Sequence, residues 1–367
     1  MSGLFKIFFI SIWLSIILST APVNSQLLKD TVAINLVRKD INYIYNLQFD
    51  NAREVHSKIS LLYPDHPVVI LLNGMITYWE NYPMLPTTPA RDSFEKDMQR
   101  CIKLCEGTNS SDHIAENLLT DLCARGMLLM FYADNNLTKD VIALTRSTYR
   151  QLRRSFDFAS EYTDLNFFTG LYNYYREAYP VEHPVFKSVA FLFPKGNIEI
   201  GIKQLQTASQ NSVLLRAESY YSLTWIFLNY ENNYPKAIYY SKSLHELFPD
   251  NLHYLALYIK NLLLIQEYDE AEKLILSTNY EYGDKYFQAQ ISIFKGIIEE
   301  KKYMNYKISQ EYYEKGIKDI SGFGEYGNDY ASYAYSGLSR ISAANDEKAY
   351  WQKSSGKNNV SSKLQND

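Results

Sequence analysis

The sequence has little that would direct it to nucleic acid or to the interior of a membrane. Its formal net charge is −4, with 37 Lys and Arg against 41 Asp and Glu in 367 residues. Because polyanionic partners are bound through a basic surplus, this balance disfavours nucleic-acid and anionic-lipid partners. No long apolar run follows residue 25, so we expect a soluble mature chain without stable membrane insertion. The 46% hydrophobic content is typical of a folded globular chain.

Motifs for catalysis and cofactor binding are also missing. The six His include no His-Glu-x-x-His pair and no other tight metal-ligand spacing. Gly196 and Gly201 do not form a phosphate-binding loop, because no Gly-Lys-Ser/Thr follows them. There is no Gly-x-Ser-x-Gly nucleophile elbow. The sequence therefore predicts no metal, no cofactor and no catalytic residue.

Cysteine is scarce, with only Cys101, Cys105 and Cys123. The first two lie four residues apart on a predicted helix, where their Cα atoms are near the upper limit for a disulfide. One of them could pair with Cys123 across a helix hairpin in an oxidising compartment. The alternative is that all three are small buried apolar residues. An odd count leaves at least one thiol free or paired elsewhere.

The first 25 residues have the pattern of an export signal. Lys6 is the only charge, the apolar run Ile7 to Leu18 follows, and Val23 and Ser25 precede a plausible cleavage site before Gln26. The run of 12 residues is shorter than the roughly 20 that a spanning helix needs, which favours cleavage over retention as an anchor. We therefore expect an exported protein, periplasmic or extracellular.

A helical repeat is visible in the remainder of the chain. Ala237 and Ala271 lie 34 residues apart, each near the start of an apolar helical pattern, and Pro249 ends the first of these patterns. Ala52 is followed by Pro64 at the same spacing that separates Ala237 from Pro249. These stretches resemble the second helix of a tetratricopeptide repeat (TPR). The resemblance implies an all-α fold, a TPR-type α-solenoid of about seven to eight helix-turn-helix units with two loop insertions.

Small residues support the repeat, because two helices that cross closely have no room for a larger side chain. The predicted contact positions are Gly74, Gly126, Gly170, Gly296 and Gly337 on first helices and Ala52, Ala237, Ala271 and Ala349 on second helices. Trp225 departs from this pattern. The predicted units are 33–66, 67–111, 112–159, 160–212, 218–251, 252–285, 286–326 and 329–356. The predicted domains are a signal peptide 1–25, the solenoid 26–356 and a disordered polar tail 357–367.

Two units are interrupted between their helices. The first insertion runs from Asn81 to Pro89 and contains three prolines, and the second insertion covers residues 179–196. Equivalent turns of a solenoid lie along one edge, so we expect both loops to project from the same edge, where long ordered loops often carry function. The alternative for the second insertion is that its apolar residues form a short helix that caps the edge.

Candidate partner-binding residues lie in the second insertion and on first helices, which the TPR resemblance implies line the concave face. They are Tyr172, Tyr175, Arg176, Tyr179, His183, Tyr221 and Trp225. Tyrosine combines apolar area with a hydroxyl at low entropic cost, which suits a binding surface. The alternatives are that most tyrosines pack between helices, and that Arg176 and its neighbours fasten the loop through ion pairs.

The resemblance implies a non-enzymatic scaffold in the cell envelope that grips a protein or peptide partner, in the concave groove or at the inserted loops. A second hypothesis is an envelope-complex assembly factor. A third is a hydrolase or lyase that uses residues 176–196, where an Arg, carboxylates and a His are available for acid–base chemistry.

Overall fold

The computed structural model describes residues 26–107, 114–278, 284–342 and 345–357. Within these ranges every regular element is a helix and no strand is present, which confirms the predicted all-α class. The predicted signal peptide lies outside the described residues, and so does the predicted polar tail apart from Lys357. None of the described helices is both long enough and apolar enough to cross a membrane.

Within the described ranges the helices follow one another as eight pairs, each made of a first and a second helix, and each pair corresponds to one predicted unit, although the helices that begin at Thr31, Arg216, Lys285 and Asn328 and the one that ends at Lys357 extend one or two residues beyond it. The pairs are α1 (Thr31–Tyr45) with α2 (Phe49–Leu62), α3 (Pro67–Glu80) with α4 (Arg91–Gly107), α5 (Ile114–Asp134) with α6 (Thr138–Phe158), α7 (Leu165–Glu182) with α9 (Ile198–Asn211), α10 (Arg216–Asn229) with α11 (Tyr234–Leu247), α12 (Leu252–Leu264) with α13 (Tyr268–Ser277), α14 (Lys285–Lys301) with α15 (Tyr306–Ile320), and α16 (Asn328–Ile341) with α17 (Asn345–Lys357). A 3₁₀ turn, Leu27–Lys29, precedes α1, and another, Ser321–Gly327, leads into α16. The second insertion contains the 3₁₀ turn Pro184–Phe186 and the short helix α8 (Lys187–Ala190).

The turns within the pairs repeat in detail. The five described turns without an insertion each hold one residue in the left-handed region, with φ between 51° and 66°: Leu47, Asn136, Asn232, Gln266 and Met304. The next N–H then bonds a carbonyl near the end of the first helix, as Leu137 N does to Tyr132 O at 2.8 Å. This hydrogen bond satisfies a carbonyl that the end of the helix leaves without a partner. The same backbone turn therefore recurs although none of the five residues is glycine.

Several predicted small residues lie at tight helix crossings. Ala52, Ala237 and Ala271 are fully buried. A Cβ atom on Gly170 would lie 3.0 Å from the carbonyl oxygen of Gly201, and a Cβ on Gly201 would lie 2.7 Å from the backbone nitrogen of Tyr174. The crossing of α7 and α9 therefore requires glycine on both helices.

Two of the predicted contact positions are not tight. A Cβ on Gly126 would have its nearest neighbour, Phe168, at 3.8 Å, which is ordinary van der Waals contact. Ala349 is exposed, so the prediction of a buried small residue there is wrong. In the last pair Ser355 is buried instead, and its hydroxyl lies 2.8 Å from that of Ser336 on α16.

The first pair contacts the fifth and sixth pairs as well as its neighbour. Tyr45, fully buried at the end of α1, donates a hydrogen bond to Glu218 of α10, and its ring centroid lies 5.2 Å from that of Phe248. Asn251, which caps α12, donates through Nδ2 to the carbonyl oxygen of Tyr45 at 2.8 Å. Because pairs far apart in the chain touch, the stack curls back on itself and encloses an interior.

All three cysteines are free thiols in the core. The Cys101 thiol donates to the carbonyl oxygen of Pro67 at 3.3 Å. Hydrogen bonding to Cys101 and burial raise the pKa of Cys105, and burial raises the pKa of Cys123. The structure therefore has the second of the two predicted arrangements, in which the cysteines are small buried residues without the reactivity of thiolates.

Candidate functional site

Tyr221, on the first helix of the fifth pair, is unusual because it combines a large exposed area with a raised pKa. Its side chain is 47% exposed. Nevertheless burial raises its pKa, and the charges of Asp134 and Asp329 raise it further. Exposed area reports the water beside the ring, whereas the pKa responds to the protein packed around the hydroxyl. Both observations hold together if Tyr221 faces an enclosed concavity rather than the outer surface.

The two carboxylates near Tyr221 have little compensation for their burial. Burial alone raises the pKa of Asp134 to about 6. Burial also raises the pKa of Asp329, and Lys260 only partly opposes this, since its Nζ lies 3.8 Å from Oδ2 of Asp329. Oδ1 of Asp329 is buried and accepts no hydrogen bond from the residues that the structure describes. A buried carboxylate without a full set of partners favours the approach of a cation or a hydrogen-bond donor.

Lys260 shows which chemistry suits this surface. Its ammonium group lies 6.0 Å from the ring centroid of Trp225 and 5.8 Å from that of Tyr330, and its side chain is 6% exposed. Aromatic faces and a carboxylate together stabilise a positive charge. We call Asp134, Tyr221, Trp225, Lys260 and Asp329 the inner cluster. Its members come from the first helices α5, α10, α12 and α16.

The first insertion closes one side of the interior. Met84 is fully buried, and its carbonyl oxygen accepts hydrogen bonds from Asn135 Nδ2 at 3.1 Å and from the Tyr326 hydroxyl at 3.4 Å. The ring centroid of Tyr82 lies 4.5 Å from that of His253 and 5.5 Å from that of Tyr326. The expectation that both insertions project from one edge is therefore wrong for this loop, because folding inward buries its apolar side chains.

No protein-family model, curated protein or solved structure matches this chain. The TPR resemblance therefore rests on the residue pattern and the succession of helix pairs, and it stays a prediction.

Two of the seven predicted site residues, Tyr221 and Trp225, belong to the inner cluster, and a third, Tyr175, lies on the preceding first helix. Burial raises the pKa of Tyr175, and the hydroxyls of Tyr230 and Tyr221 raise it further. The Tyr175 ring packs on that of Tyr230, with centroids 5.3 Å apart. These residues lie on α7 and α10, the first helices of adjacent pairs.

The other four predicted residues belong to the second insertion and its base. The Tyr172 hydroxyl donates to the Pro194 carbonyl oxygen at 2.6 Å. The Arg176 guanidinium donates from Nε and from one terminal nitrogen to the Phe193 carbonyl oxygen, at 3.2 and 3.1 Å. Farther out, the ring of Tyr179 packs on His183, with centroids 4.3 Å apart. These contacts fasten the loop, but through hydrogen bonds to backbone carbonyls rather than the expected ion pairs; Arg176 pairs with its own neighbour Glu177 at 3.3 Å.

Several functional candidates were missed by reasoning from the sequence. Asp134 and Asp329 carried no motif, and Lys260 lies in an otherwise apolar stretch of α12. That isolated Lys was a usable signal, because a charge in an apolar helix is rarely buried without a partner. Among the described residues, no group of three or more His, Cys, Asp or Glu side chains is placed to hold a metal ion.

Proposed function

We propose that this chain is a non-enzymatic binding scaffold of the TPR type, which takes up a peptide segment of a protein partner in its concave interior. The partner segment carries a Lys or Arg side chain that enters the inner cluster. On the pattern of its first 25 residues, the same proposal assigns the protein to the cell envelope, in a periplasmic or extracellular location.

The observation that carries the proposal is that Tyr221 is exposed while the charges of Asp134 and Asp329 both raise the pKa of its hydroxyl. An ammonium or guanidinium group beside this ring would gain a cation–π contact, would offset the charge of Asp134, and could donate to Oδ1 of Asp329, which accepts no hydrogen bond from the described residues. Lys260 already makes contacts of this kind with the same helices. A negatively charged side chain would be repelled by both carboxylates, so the cluster discriminates by charge as well as by shape.

The proposal is tested by crosslinking from the interior. Residues 26–367, with a photoreactive phenylalanine analogue in place of Tyr221, would be exposed to native envelope extract and irradiated, and crosslinked peptides would be sequenced. We expect one reproducible partner segment with Lys or Arg next to the crosslinked residue. Tyr239 serves as the matched control, since it is 59% exposed on the second helix of the same pair. The analogue there should not capture this segment.

Affinity for the identified segment, made as a synthetic peptide, then tests the chemistry. Asp134→Asn and Tyr221→Ser should each weaken binding by about tenfold or more, since an aromatic or carboxylate contact to a desolvated cation contributes about 1–2 kcal/mol. Tyr239→Ser should leave the affinity unchanged. Binding should also weaken as the pH falls through about 6, because Asp134 then becomes neutral. Equal crosslinking at positions 221 and 239, or full affinity of Asp134→Asn, would contradict the proposal.

A further inference from the structure

The second insertion presents an apolar surface to solvent. Within twelve residues, five large apolar side chains are exposed: Val181, Val185, Phe186, Phe191 and Leu192. We call these five residues the insertion tip. Phe191 is 74% exposed and Val185 is 78% exposed. The predicted alternative, that the apolar residues of this segment form a short helix that caps the solenoid edge, is therefore wrong for Val185, Phe186, Phe191 and Leu192, whose side chains are exposed. Clustered exposure of this kind marks an interaction site.

The insertion tip is held in place by contacts at its base. The backbone around Phe193 and Pro194 is bonded by Arg176 and Tyr172, and Glu177 accepts a hydrogen bond from the Gly196 N–H at 2.9 Å. The Phe193 ring packs inward on Tyr149, with centroids 5.0 Å apart. Because Phe193 is anchored while Phe191 and Leu192 are exposed, the loop displays its apolar side chains on a fixed support.

The charge of this segment differs from that of the whole chain. The second insertion, residues 179–196, contains Lys187, Lys195 and one acidic residue, Glu182, for a formal net charge of +1, whereas the complete chain has a formal net charge of −4. Both lysines are exposed, and neither forms an ion pair with the residues that the structure describes. The argument from the net charge of the whole chain against anionic lipid therefore does not apply to this segment, which is apolar and carries more basic than acidic residues.

We propose that the insertion tip docks on the surface of a lipid bilayer that contains anionic headgroups. Phe186, Phe191 and Leu192 enter the boundary between headgroups and acyl chains, while Lys187 and Lys195 contact the headgroup phosphates. Partial burial of apolar side chains combined with basic residues is how peripheral proteins bind anionic membranes reversibly, without a spanning helix. This docking is independent of the inner cluster, which lies inside the helix stack.

Vesicle co-sedimentation of residues 26–367 tests the docking. The vesicles are phosphatidylcholine alone, or phosphatidylcholine with phosphatidylglycerol in equal parts. We expect wild-type protein to sediment with the anionic vesicles and the double variant Phe191→Ser/Leu192→Ser to bind about tenfold or more weakly. The matched control is Leu61→Ser/Leu276→Ser, which removes two leucines that are also highly exposed, and it should bind like wild type.

The electrostatic contribution is tested separately. Lys187→Glu/Lys195→Glu should bind anionic vesicles about tenfold or more weakly, because each basic residue near such a surface contributes appreciably to binding, and salt should weaken wild-type binding. Lys103→Glu/Lys139→Glu makes the same change at two other exposed lysines and should have little effect. If the control variants lost as much binding as the tip variants, the attraction would be general and the proposal would be overturned.

Insertion into the bilayer gives an independent readout. Phe191→Trp should add fluorescence that shifts to the blue on anionic vesicles and is quenched by brominated acyl chains, whereas Leu61→Trp should show neither change. If wild-type protein does not bind the anionic vesicles, the tip recognises something other than lipid, such as a protein, and the proposal fails. The peptide affinity of Tyr221→Ser is measured without vesicles, so either proposal can fail without the other.

Discussion

The ionisation of Asp134, a member of the proposed binding site, affects the stability of the folded chain. Its pKa is about 6 in the folded chain, against an ordinary value of 3.8, with burial as the cause. The folded state therefore binds this proton more tightly than the unfolded state does. The contribution of protonated Asp134 to stability is complete below pH 3.8 and is lost as the pH rises through about 6. A site that keeps a carboxylate in an unfavourable place is expected where a ligand supplies the missing charge.

Asp134→Asn should therefore stabilise the free protein above the folded-state pKa. We expect a gain of about 1–3 kcal/mol in the free energy of unfolding at about pH 8 and little change at about pH 4, since one pKa unit corresponds to about 1.4 kcal/mol. Urea unfolding at the two pH values, followed by circular dichroism, measures this difference. A loss of stability at the higher pH would mean that Asp134 has a favourable partner, and the cation proposal would lose its support.

Glycine at the crossing of α7 and α9 illustrates a second effect of single residues. Gly201→Ala places a methyl group against the Tyr174 backbone, which cannot move without separating the helices. We expect this variant to lose about 1–3 kcal/mol in the free energy of unfolding. Gly126→Ala meets only Phe168 at 3.8 Å and should be neutral or stabilising by up to about 1 kcal/mol, since alanine favours helix. Thermal unfolding of both variants gives the comparison. Equal effects would show that α7 and α9 do not approach so closely.

At the scale of elements, the helix pairs were predictable and their turns were not. Ala237 and Ala271 repeat at 34 residues and mark second helices, because close crossings restrict the side chain to a small one. Leu47 and Met304 adopt positive φ in equivalent turns, although bulky residues seldom do so. Their conformation follows from the hydrogen bond that ends the first helix, which leaves no clear trace in residue type.

The 3₁₀ turn before α1 is fixed by one buried carboxylate. Glu116 is fully buried and accepts hydrogen bonds from the N–H groups of Leu27 at 3.1 Å and Leu28 at 2.8 Å, while both leucines are buried. His66 Nε2 lies 3.1 Å from the same side chain. Leu27 and Leu28, near the start of the described residues, are thus tied to α5.

Glu116→Gln should release this turn. The amide nitrogen of Gln would face one of the two N–H groups and cannot accept a hydrogen bond from it. We therefore expect the free energy of unfolding to fall by about 2–4 kcal/mol and proteolysis between residues 26 and 30 to become faster. Tyr162→Phe is the control, because it removes only the hydroxyl that donates to Glu116 at 3.3 Å, and it should cost about 1 kcal/mol or less. Similar losses in the two variants would argue that Glu116 does not hold the turn.

At the scale of the whole molecule, the inner cluster depends on the curling of the stack. Asp134 and Asp329 are separated by more than half of the chain, and both act on Tyr221. No local pattern could have predicted this meeting, because it follows from the small rotations between successive pairs and from contacts that close the stack. The choice of Tyr175 and Tyr221 as partner-binding residues depended only on their position on first helices, and it stays a prediction.

The closing contacts also bear on cooperativity. In an open helical stack each pair contacts only its neighbours, so the ends unfold independently. Here Asn251 donates to the Tyr45 carbonyl oxygen, and Gln48 Nε2 donates to Asp250 at 2.6 Å, which links the first pair to the junction of the fifth and sixth. We therefore expect α1 and α2 to open together with α12 in native-state hydrogen exchange.

Asn251→Asp is a selective test of this closure. The new carboxylate keeps the oxygen that caps α12 by accepting from the N–H groups of His253 and Tyr254, but it cannot donate to Tyr45. The free energy of opening that hydrogen exchange reports for α1 and α2 should fall by about 1–3 kcal/mol, while that of α14 to α16 should not change. If protection fell equally in all these helices, Asn251 would be acting on the stack as a whole. If it fell nowhere, the hydrogen bond from Asn251 would contribute nothing to closure, and the prediction would be wrong.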